Sequence, residues 1–336
     1  MNLVVGDIGG TNARFAFQEN QKSDLKLFDT FLCSNFNSFE DIIFNYIIKN
    51  KIKIQNLSVS IAAPCENDDV LFTNNDLSFK KSLVSKKFKL KSFLAINDFV
   101  AQSIVFKPLL FSKDKNSISK ILTKLDLVQI KRGTPMLNSS IFVTGPGTGL
   151  GACTLKSFGN QVITIAGEGG NAFFSPSDHN ECSLLNEFLK KKTYVSFEDF
   201  ISGRGIQNLY NIFQKKNNLI VKNLTASEIG ELAIKNDELA VLCVKQMLKM
   251  FVTFIVNNIF LNGCLNGVII CGGIAIRLKD FLSESIFINE YKKIHNYFNY
   301  LNNVPIYLCV NDKNGLIGAR DCFYDNYFNK FKIIYD

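Results

Sequence analysis

Two glycine-rich segments, each placed between two strand-like runs, constrain the fold of this chain most strongly. The first is Asp7-Ile8-Gly9-Gly10-Thr11-Asn12 and the second is Gly145-Pro146-Gly147-Thr148-Gly149-Leu150-Gly151. Each follows one short apolar run and precedes another, which predicts a β-hairpin with a glycine turn in both halves. Because glycine lets unpaired backbone N–H groups approach an anion, both turns are predicted phosphate sites. The pair indicates one nucleotide held between two domains.

For either glycine loop alone, a purely structural role is an alternative to phosphate binding, since glycine also tightens hairpins. Asp7 and the hydroxyls of Thr11 and Thr148 favour phosphate. No Gly-x-x-x-x-Gly-Lys-Ser/Thr sequence occurs, which argues against a Walker-type site. The segment 147–152 matches the dinucleotide pattern, but a strand-like run follows it instead of a helix, so a Rossmann site is not expected.

The composition is that of a globular protein with room for two domains. The chain has 336 residues, of which 47% are hydrophobic and 20% charged, enough to bury a sizeable core in each half. Its nine cysteines form no Cys-x-x-Cys pair, and its two histidines, His179 and His295, are far apart. We therefore expect neither a disulfide framework nor a structural zinc site, and we expect the reducing cytoplasm as the location.

Neither a membrane nor a nucleic acid is expected as a partner. Met1 leads directly into the first strand, which leaves no room for a secretory signal. The most apolar stretch, 250–256, stops at Asn257 and falls short of the ~20 residues of a membrane span, so we expect a buried helix there. The net charge of +8 comes mostly from lysine clusters without interleaved aromatic residues and arginines, which indicates solvated surfaces.

The order of the predicted elements indicates an α/β fold in two halves. Strands alternate with a helix capped by Ser38 in the first part, which predicts a mixed sheet, and the second half repeats this scheme from its own hairpin. We predict a small α/β domain at 1–108 and a large α/β domain at 109–315. A helix at about 316–336 is expected to pack back on the small domain.

A polar pair, Asn97-Asp98, follows the short buried strand predicted at 94–96. Open α/β sheets place ligand chemistry at the carboxyl ends of such strands. Transfer of a phosphoryl group to a hydroxyl needs a carboxylate near the acceptor oxygen, which Asp98 supplies. Capping of the following helix accounts for Asp98 equally well, and the sequence leaves both interpretations open.

Two further carboxylates stand out. Glu168 lies in the glycine-rich segment 165–171, where it is placed to accept hydrogen bonds from two adjacent hydroxyls of a pyranose. The alternative for Glu168 is an ordinary exposed loop glutamate. Glu198, taken alone, looks like a first-turn helix residue that follows Ser196 as the N-cap.

Five segments, in their order along nearly the whole chain, resemble those of one family. They are Asp-Ile-Gly-Gly-Thr-Asn-Ala-Arg at 7–14, Asn-Asp-Phe at 97–99, Gly-Pro-Gly-Thr-Gly-Leu-Gly at 145–151, Gly-Glu-Gly-Gly at 167–170 and Cys-Gly-Gly-Ile at 271–274. By these motifs the chain resembles the bacterial glucokinases of the hexokinase/actin-like ATPase superfamily. The resemblance implies two actin-like/RNase H-like domains that flank a cleft for ATP and sugar. It also implies ATP-dependent phosphorylation of glucose at the 6-hydroxyl.

The same resemblance implies roles for the site residues. Asp98 is the base that deprotonates the 6-hydroxyl, and the implied sugar ligands are Asn74, Asn97, Asp98, Glu168, Asn171 and Glu198. The implied nucleotide ligands are Asp7, Gly9, Gly10, Thr11, Asn12, Gly147, Thr148, Gly149, Gly272 and Gly273. ATP is expected to bring Mg²⁺ with it, and Asp7 lies on the magnesium side through a water molecule. The family tends toward homodimers, which is expected here on the resemblance alone.

One position departs from the family pattern. Where these glucokinases usually carry histidine after Gly-Glu-Gly-Gly, the chain has Asn171. Asparagine is shorter and carries no charge, which weakens or alters a contact to the anomeric side of the sugar. A kinase for another hexose or an amino sugar is therefore one alternative. A non-catalytic sugar or nucleotide sensor is another, although a DNA-binding sensor of this fold needs a helix-turn-helix before the first loop, and Asp7 follows Met1 too closely for one.

Overall fold

Two compact units make up the chain. The computed structural model describes residues 1–72, 77–112 and 114–334. Unit 1 contains Met1–Lys107, Phe158–Ala166 and Asp312–Asp336, and unit 2 contains Pro108–Ser157 and Gly167–Asn311. The segment Phe158–Ala166, which was expected in the large domain, thus groups with unit 1. This segment contacts a helix of unit 1 that is distant in sequence. No local pattern in the sequence could therefore predict the grouping.

Strands and helices alternate through both units. The strands are β1 (Leu3–Ile8), β2 (Asn12–Gln18), β3 (Lys26–Leu32), β4 (Asn56–Ile61), β5 (Asp69–Val70), β6 (Phe79–Lys80), β7 (Ser92–Asn97), β8 (Leu127–Lys131), β9 (Ile141–Pro146), β10 (Leu150–Phe158), β11 (Gln161–Ala166), β12 (Gly267–Ile270), β13 (Ile306–Cys309) and β14 (Ile333–Ile334). The helices are α1 (Phe39–Asn50), α2 (Lys81–Phe88), α3 (Asp98–Ile104), α4 (Lys107–Leu110), α5 (Lys115–Lys124), α6 (His179–Leu189), α7 (Gly203–Lys216), α8 (Ala226–Ile234), α9 (Glu238–Asn262), α10 (Gly273–Arg277), α11 (Glu284–Lys292), α12 (Phe298–Asn302) and α13 (Asn314–Tyr324).

Each unit is built on a mixed sheet with the same central arrangement. In unit 1 the strand order is β14-β7-β4-β1-β2-β3, with β1, β4 and β7 parallel and β2 antiparallel to β1. In unit 2 the strands β10-β9-β12-β13-β8 follow in that order, with β9, β12 and β13 parallel and β10 antiparallel to β9. The predicted mixed sheet and both predicted hairpins are therefore confirmed. The two similar halves of the sequence therefore fold with the same central strand arrangement.

Helix boundaries follow the capping residues of the sequence. Ser38 precedes α1 and its hydroxyl accepts a hydrogen bond from the Asp41 N–H at 3.1 Å, which confirms the predicted N-cap. The region 112–138, which has only a polar pattern in the sequence, contains α5 and the edge strand β8. The edge position explains the weak pattern, because only part of each strand face at an edge is buried.

The longest helix, α9, forms part of the core of unit 2. It is the one helix of the described residues that is long and apolar enough to cross a membrane, and 67% of its most apolar window is buried inside the protein. Phe251, Phe254 and Ile255 on this helix are almost fully inaccessible to solvent. The packing agrees with the predicted buried helix, since the same composition suits the core of a folded domain.

Candidate functional site

The first glycine loop closes the β1–β2 hairpin of unit 1. The Gly9 N–H donates to the Asn12 carbonyl at 2.9 Å, and the Cys33 N–H donates to the Thr11 carbonyl at 2.9 Å. These two bonds fix both ends of the loop, while the Thr11 side chain at its tip is exposed. A turn held in this way offers backbone N–H groups and one hydroxyl to a phosphate.

Asp7 is held on the strand that leads into this loop. The Ser60 hydroxyl on β4 donates to Asp7 Oδ1 at 3.0 Å, and Arg14 lies opposite Asp7 across the hairpin. Burial raises the pKa of the Asp7 carboxyl, while the Ser60 hydrogen bond and the Arg14 charge partly oppose that rise. Its carboxylate also packs against the first turn of α13, where a Cβ on Gly315 would lie 2.6 Å from Oδ1. No local pattern in the sequence connects Gly315 with Asp7.

Asn97 and Asp98 stand where β7 ends and α3 begins. Asn97 is the N-cap: its Oδ1 accepts hydrogen bonds from the N–H groups of Phe99 at 3.0 Å and Val100 at 3.3 Å. Asp98 is the first helical residue, half-buried, and its Oδ1 lies 2.9 Å from the Phe99 N–H. The capping role that the sequence left open for Asp98 therefore belongs mainly to Asn97. Since Asn97 Oδ1 serves the helix, its Nδ2 group is the donor that it can offer a ligand.

The position of α3, and with it Asp98, depends on the C-terminal helix α13. A Cβ on Gly318 would collide with the backbone of Ala101, so the two helices cross with their backbones in close contact. The Asn314 side-chain amide donates to the Gln102 carbonyl at 3.2 Å. Glycine at the crossing is required because any larger side chain would push α3 away. Gly318 and Asn314 are positioning residues that sequence reasoning missed.

The second glycine loop closes the β9–β10 hairpin of unit 2. The Gly147 N–H donates to the Gly149 carbonyl at 2.7 Å, and the Gly203 N–H at the start of α7 donates to the Gly147 carbonyl at 2.9 Å. Thr148 at the tip is exposed, as is the threonine of the first loop. The predicted second phosphate turn is thus anchored by the helix that follows Glu198 in sequence.

Glu168 and Asn171 lie on a surface turn of unit 2. A 3-10 turn spans Gly169–Asn171, and the Asn171 Nδ2 group is 3.5 Å from Glu168 Oε2. Both side chains are exposed, so their polar groups can reach a ligand in solvent. The turn rests on the hairpin, because a Cβ on Gly170 would lie 2.9 Å from the Leu150 Cβ. The Tyr194 hydroxyl donates to the Asn171 carbonyl at 3.1 Å.

Glu198 joins this surface turn to the second glycine loop. Its backbone N–H donates to the Gly170 carbonyl at 2.8 Å, and its Oε2 accepts from the Leu150 N–H at 2.8 Å. Glu198 is not in the first turn of a helix, as its sequence alone suggested: the helix begins at Gly203 with Ser202 as the N-cap. Ser196 instead closes a tight turn with Asp199. The structure brings Glu168, Asn171 and Glu198 into one hydrogen-bonded region with the loop.

Gly272 and Gly273 follow β12, next to the end of β9. Gly272 has φ +97°, and a Cβ there would lie 2.8 Å from the Pro146 carbonyl oxygen, so only glycine fits. Around Gly273, by contrast, a Cβ would meet nothing within 4 Å. This open backbone, beside the strand that leads into the second glycine loop, is where another molecule can approach the main chain.

The predicted sugar ligand Asn74 lies outside the described residues. The predicted metal ion has no cage of protein ligands in the parts of the chain that the structure describes, where no group of three His, Cys, Asp or Glu side chains is arranged to hold one. A divalent cation near Asp7 would therefore have to draw further ligands from water and from the nucleotide.

The chain is similar to known glucokinases along nearly its whole length. A family model described as Glucokinase matches residues 4–326. The glucokinase of Escherichia coli K12 is 30% identical over 322 residues, which cover 94% of this chain and 95% of the relative. The crystal structure of a glucokinase from an Antarctic psychrotroph is 29% identical, with a TM-score of 0.75 over 96% of this chain and 98% of that one. A Streptomyces griseus ROK family glucokinase, solved with glucose and AMPPNP, is 16% identical with a TM-score of 0.63 over 96% and 98% of the two chains. That last likeness concerns the fold.

Proposed function

The chain belongs to the glucokinase family, and from that premise we propose that it transfers the γ-phosphoryl group of ATP to the 6-hydroxyl of glucose. The observation that supports this most directly is the family match across residues 4–326, which spans both glycine loops and all the carboxylates described above. The fold is that of the actin-like sugar kinases. The products are glucose 6-phosphate and ADP.

We propose Asp98 as the general base of the reaction. Its carboxylate accepts the proton of the 6-hydroxyl while that oxygen bonds to the γ-phosphorus, and the bond between that phosphorus and the bridging oxygen breaks to release ADP. The half-buried position at the start of α3 supports this role, because Asn97 already provides the cap. General base catalysis of this kind is worth roughly 10²- to 10⁴-fold in rate.

The remaining predicted ligands divide into sugar and nucleotide groups. Asn97 Nδ2, Glu168, Asn171 and Glu198 are proposed to hydrogen-bond the sugar hydroxyls, with Asn74 as a further ligand. Gly9, Gly10, Thr11, Asn12, Gly147, Thr148 and Gly149 are proposed to bind the phosphates, and Gly272 and Gly273 the adenosine part. The exposed threonines at both loop tips and the open backbone at Gly273 support these assignments.

Asp7 is proposed to hold Mg²⁺ through a bound water. Burial raises the pKa of the Asp7 carboxyl and disfavours its ionised form. A cation bound nearby would lower that pKa again and stabilise the carboxylate, so the residue fits this role. Bound Mg²⁺ offsets the negative charge of the phosphates during transfer. The Ser60 hydroxyl keeps the carboxylate oriented at the base of the first loop, and the charge of Arg14 favours its ionised form.

Asn171 supports a second candidate substrate, another hexose or an amino sugar. The side chain is neutral and exposed, and its Nδ2 group is directed toward Glu168 at 3.5 Å. Asparagine is shorter than histidine and carries no charge, so its contact to the sugar is weaker or altered and discriminates less strictly for glucose. A non-catalytic sensor is the remaining alternative, which absence of turnover on every sugar would favour.

The test is product formation from ATP with a panel of glucose, mannose, fructose, glucosamine and N-acetylglucosamine. Phosphorus NMR identifies the phosphorylated position, and Asn171→His is compared with the wild type. We expect glucose 6-phosphate as the main product, and a larger preference for glucose in Asn171→His. Activity on another sugar alone would replace glucose as the substrate, and no turnover on any sugar would contradict a kinase.

We further propose that the enzyme is cytoplasmic. None of the nine cysteines forms a disulfide, and α9 is buried within unit 2, which supports this location. The homodimer stays a prediction from the family resemblance. Light scattering on the purified protein checks it: a dimer gives twice the chain mass of 37.8 kDa, and a monomer gives that mass itself.

A further inference from the structure

The proposed reaction needs positive charge, and the ligands proposed so far for the sugar, the phosphates and the metal ion carry none. Asp7, Asp98, Glu168 and Glu198 are all acidic, while ATP brings a triphosphate whose charge grows at the transferring oxygens. Enzymes that transfer phosphoryl groups commonly add a cationic side chain to the metal ion. Arg204, in the first turn of α7, lies near the second glycine loop of unit 2.

Arg204 is placed next to the second glycine loop by two independent contacts. Its neighbour Gly203 donates a backbone hydrogen bond to the Gly147 carbonyl at 2.9 Å. Its own Nη2 lies 3.6 Å from Oε1 of Glu198, whose other oxygen accepts the Leu150 N–H at 2.8 Å. The backbone next to Arg204 is thus bonded to one end of the loop 147–149, and its ion-pair partner Glu198 is bonded to the residue that follows the other end.

The ion pair with Glu198 does not satisfy the guanidinium. At 3.6 Å the contact is longer than a hydrogen bond, and the Arg204 side chain is 63% exposed. Exposed ion pairs of this kind contribute little to stability. An arginine has five N–H donors in a planar fork that matches two oxygens of a phosphate. Most of these donors therefore face solvent beside a proposed phosphate loop.

We propose that Arg204 binds the phosphates of the nucleotide, and that Glu198 orients its guanidinium for that purpose. This inference deepens the proposed function, on which it rests, by naming a residue for ATP recognition. When Arg204 is removed, Glu198 keeps its hydrogen bond from the Leu150 N–H. The substitution should therefore weaken the binding of sugar less than the binding of nucleotide.

The test separates nucleotide binding from sugar binding. Calorimetry measures the Kd of MgAMPPNP and of glucose for wild type, Arg204→Ala and Arg204→Lys. Arg132→Ala is the matched control, because it removes another exposed arginine of unit 2, which follows β8 and is separated from β9 by two strands. Steady-state KM values for ATP and glucose are measured on the same proteins.

We expect Arg204→Ala to weaken MgAMPPNP binding by about 10-fold or more, which corresponds to the loss of one charge-assisted phosphate contact. Arg204→Lys should recover part of the affinity, since it keeps the charge without the fork. Glucose affinity should change less than about 2-fold. Unchanged nucleotide affinity, or a loss confined to glucose, would overturn the inference. Because binding is measured without turnover, a wild type that binds MgAMPPNP but phosphorylates no sugar would contradict only the proposed reaction.

Discussion

The two glycine loops of the molecule follow the same hairpin design, but the strands before the turns carry different residues at the position before the last. In β1 the residue before the last is Asp7, and in β9 it is Gly145. The fold leaves room for the Asp7 carboxylate, whose Oδ1 accepts a hydrogen bond from the Ser60 hydroxyl at 3.0 Å. At Gly145 a Cβ would lie 2.6 Å from the carbonyl carbon of Cys271, the residue that follows β12, so no side chain fits.

This difference supports the different tasks proposed for the two similar loops. The loop of unit 1 combines backbone donors with a carboxylate, which suits a phosphate with its metal ion. The loop of unit 2 has no carboxylate on its own strand, and its neighbours Glu198 and Arg204 come from the segment that leads into α7. A repeated scaffold can thus be specialised by one residue on a strand and one segment packed beside it.

The largest effect of a substitution in the two hairpins is expected at Asp7. Asp7→Asn keeps an acceptor for the Ser60 hydroxyl but loses the charge that is proposed to hold a metal-bound water. Loss of an outer-shell ligand of this kind costs about 10- to 100-fold in activity. We expect kcat/KM for MgATP to fall by that factor. The activity of Asp24→Asn, which changes an exposed carboxylate of the same unit, should equal that of the wild type. Equal activity of Asp7→Asn and wild type would exclude Asp7 from the magnesium side.

The same substitution should stabilise the protein without ligands. The folded-state pKa of Asp7 is raised above its unfolded value by burial. The contribution of Asp7 to the free energy of unfolding is therefore complete below the unfolded pKa and is lost as the pH rises through the folded pKa. At neutral pH the ionised carboxylate consequently lowers the free energy of unfolding. We expect a higher Tm for Asp7→Asn at pH 7 and a smaller difference at pH 4. A lower Tm at pH 7 would contradict this role of the carboxylate.

At the matching position of unit 2, the prediction concerns stability. Gly145→Ala forces β9 and the backbone of Cys271 apart, and overpacking of this kind costs about 1–3 kcal/mol. Thermal unfolding should show a lower Tm than for Gly167→Ala, whose Cβ would meet nothing within 4 Å. If Gly145→Ala were as stable as Gly167→Ala, steric exclusion would not explain the absence of a second aspartate.

A smaller effect is expected where the backbone of unit 2 is open. Gly273→Ala adds a methyl group into empty space at the first residue of α10, so the free protein should lose no stability. If adenosine lies against this backbone, the methyl group should raise the KM for ATP by about 10-fold, a cost of about 1.4 kcal/mol. Gly167→Ala is the control with an unchanged KM for ATP. An unchanged KM in both variants would remove Gly273 from the nucleotide site.

The smallest effect concerns one buried thiol in each unit. Burial raises the pKa of Cys65 in unit 1 and of Cys264 in unit 2, each from 9.0 to about 12. The stability that these thiols contribute is complete below pH 9 and is lost between pH 9 and 12, because the thiol of the unfolded state ionises first. Cys65→Ala and Cys264→Ala should each reduce the loss of stability in that range. Urea unfolding at pH 8 and pH 10.5 measures it, and identical pH slopes for all three proteins would contradict it.

The sequence was sufficient for features that are local. Both hairpins follow from apolar runs around glycines, and the cap of α1 follows from Ser38 ahead of an apolar stripe. The packing of Gly318 and the proposed role of Arg204 could not be predicted from the sequence, because each depends on a backbone or a carboxylate that folding brings near. Glu198 combines a local sequence pattern with a contact that only folding creates. Its serine and acidic neighbours mimic a helix start, yet its carboxylate accepts a bond from Leu150, 48 residues away.

The catalytic role proposed for Asp98 is tested most directly by the turnover and glucose binding of Asp98→Asn beside the wild type. Asn97 caps α3, so the variant should fold with an unchanged Tm. We predict a loss of about 10²- to 10⁴-fold in the rate of glucose 6-phosphate formation, the range of general base catalysis, with glucose affinity within a few-fold of the wild type. Turnover at the wild-type rate would contradict Asp98 as the base and, with it, the assignment of the catalytic step to unit 1.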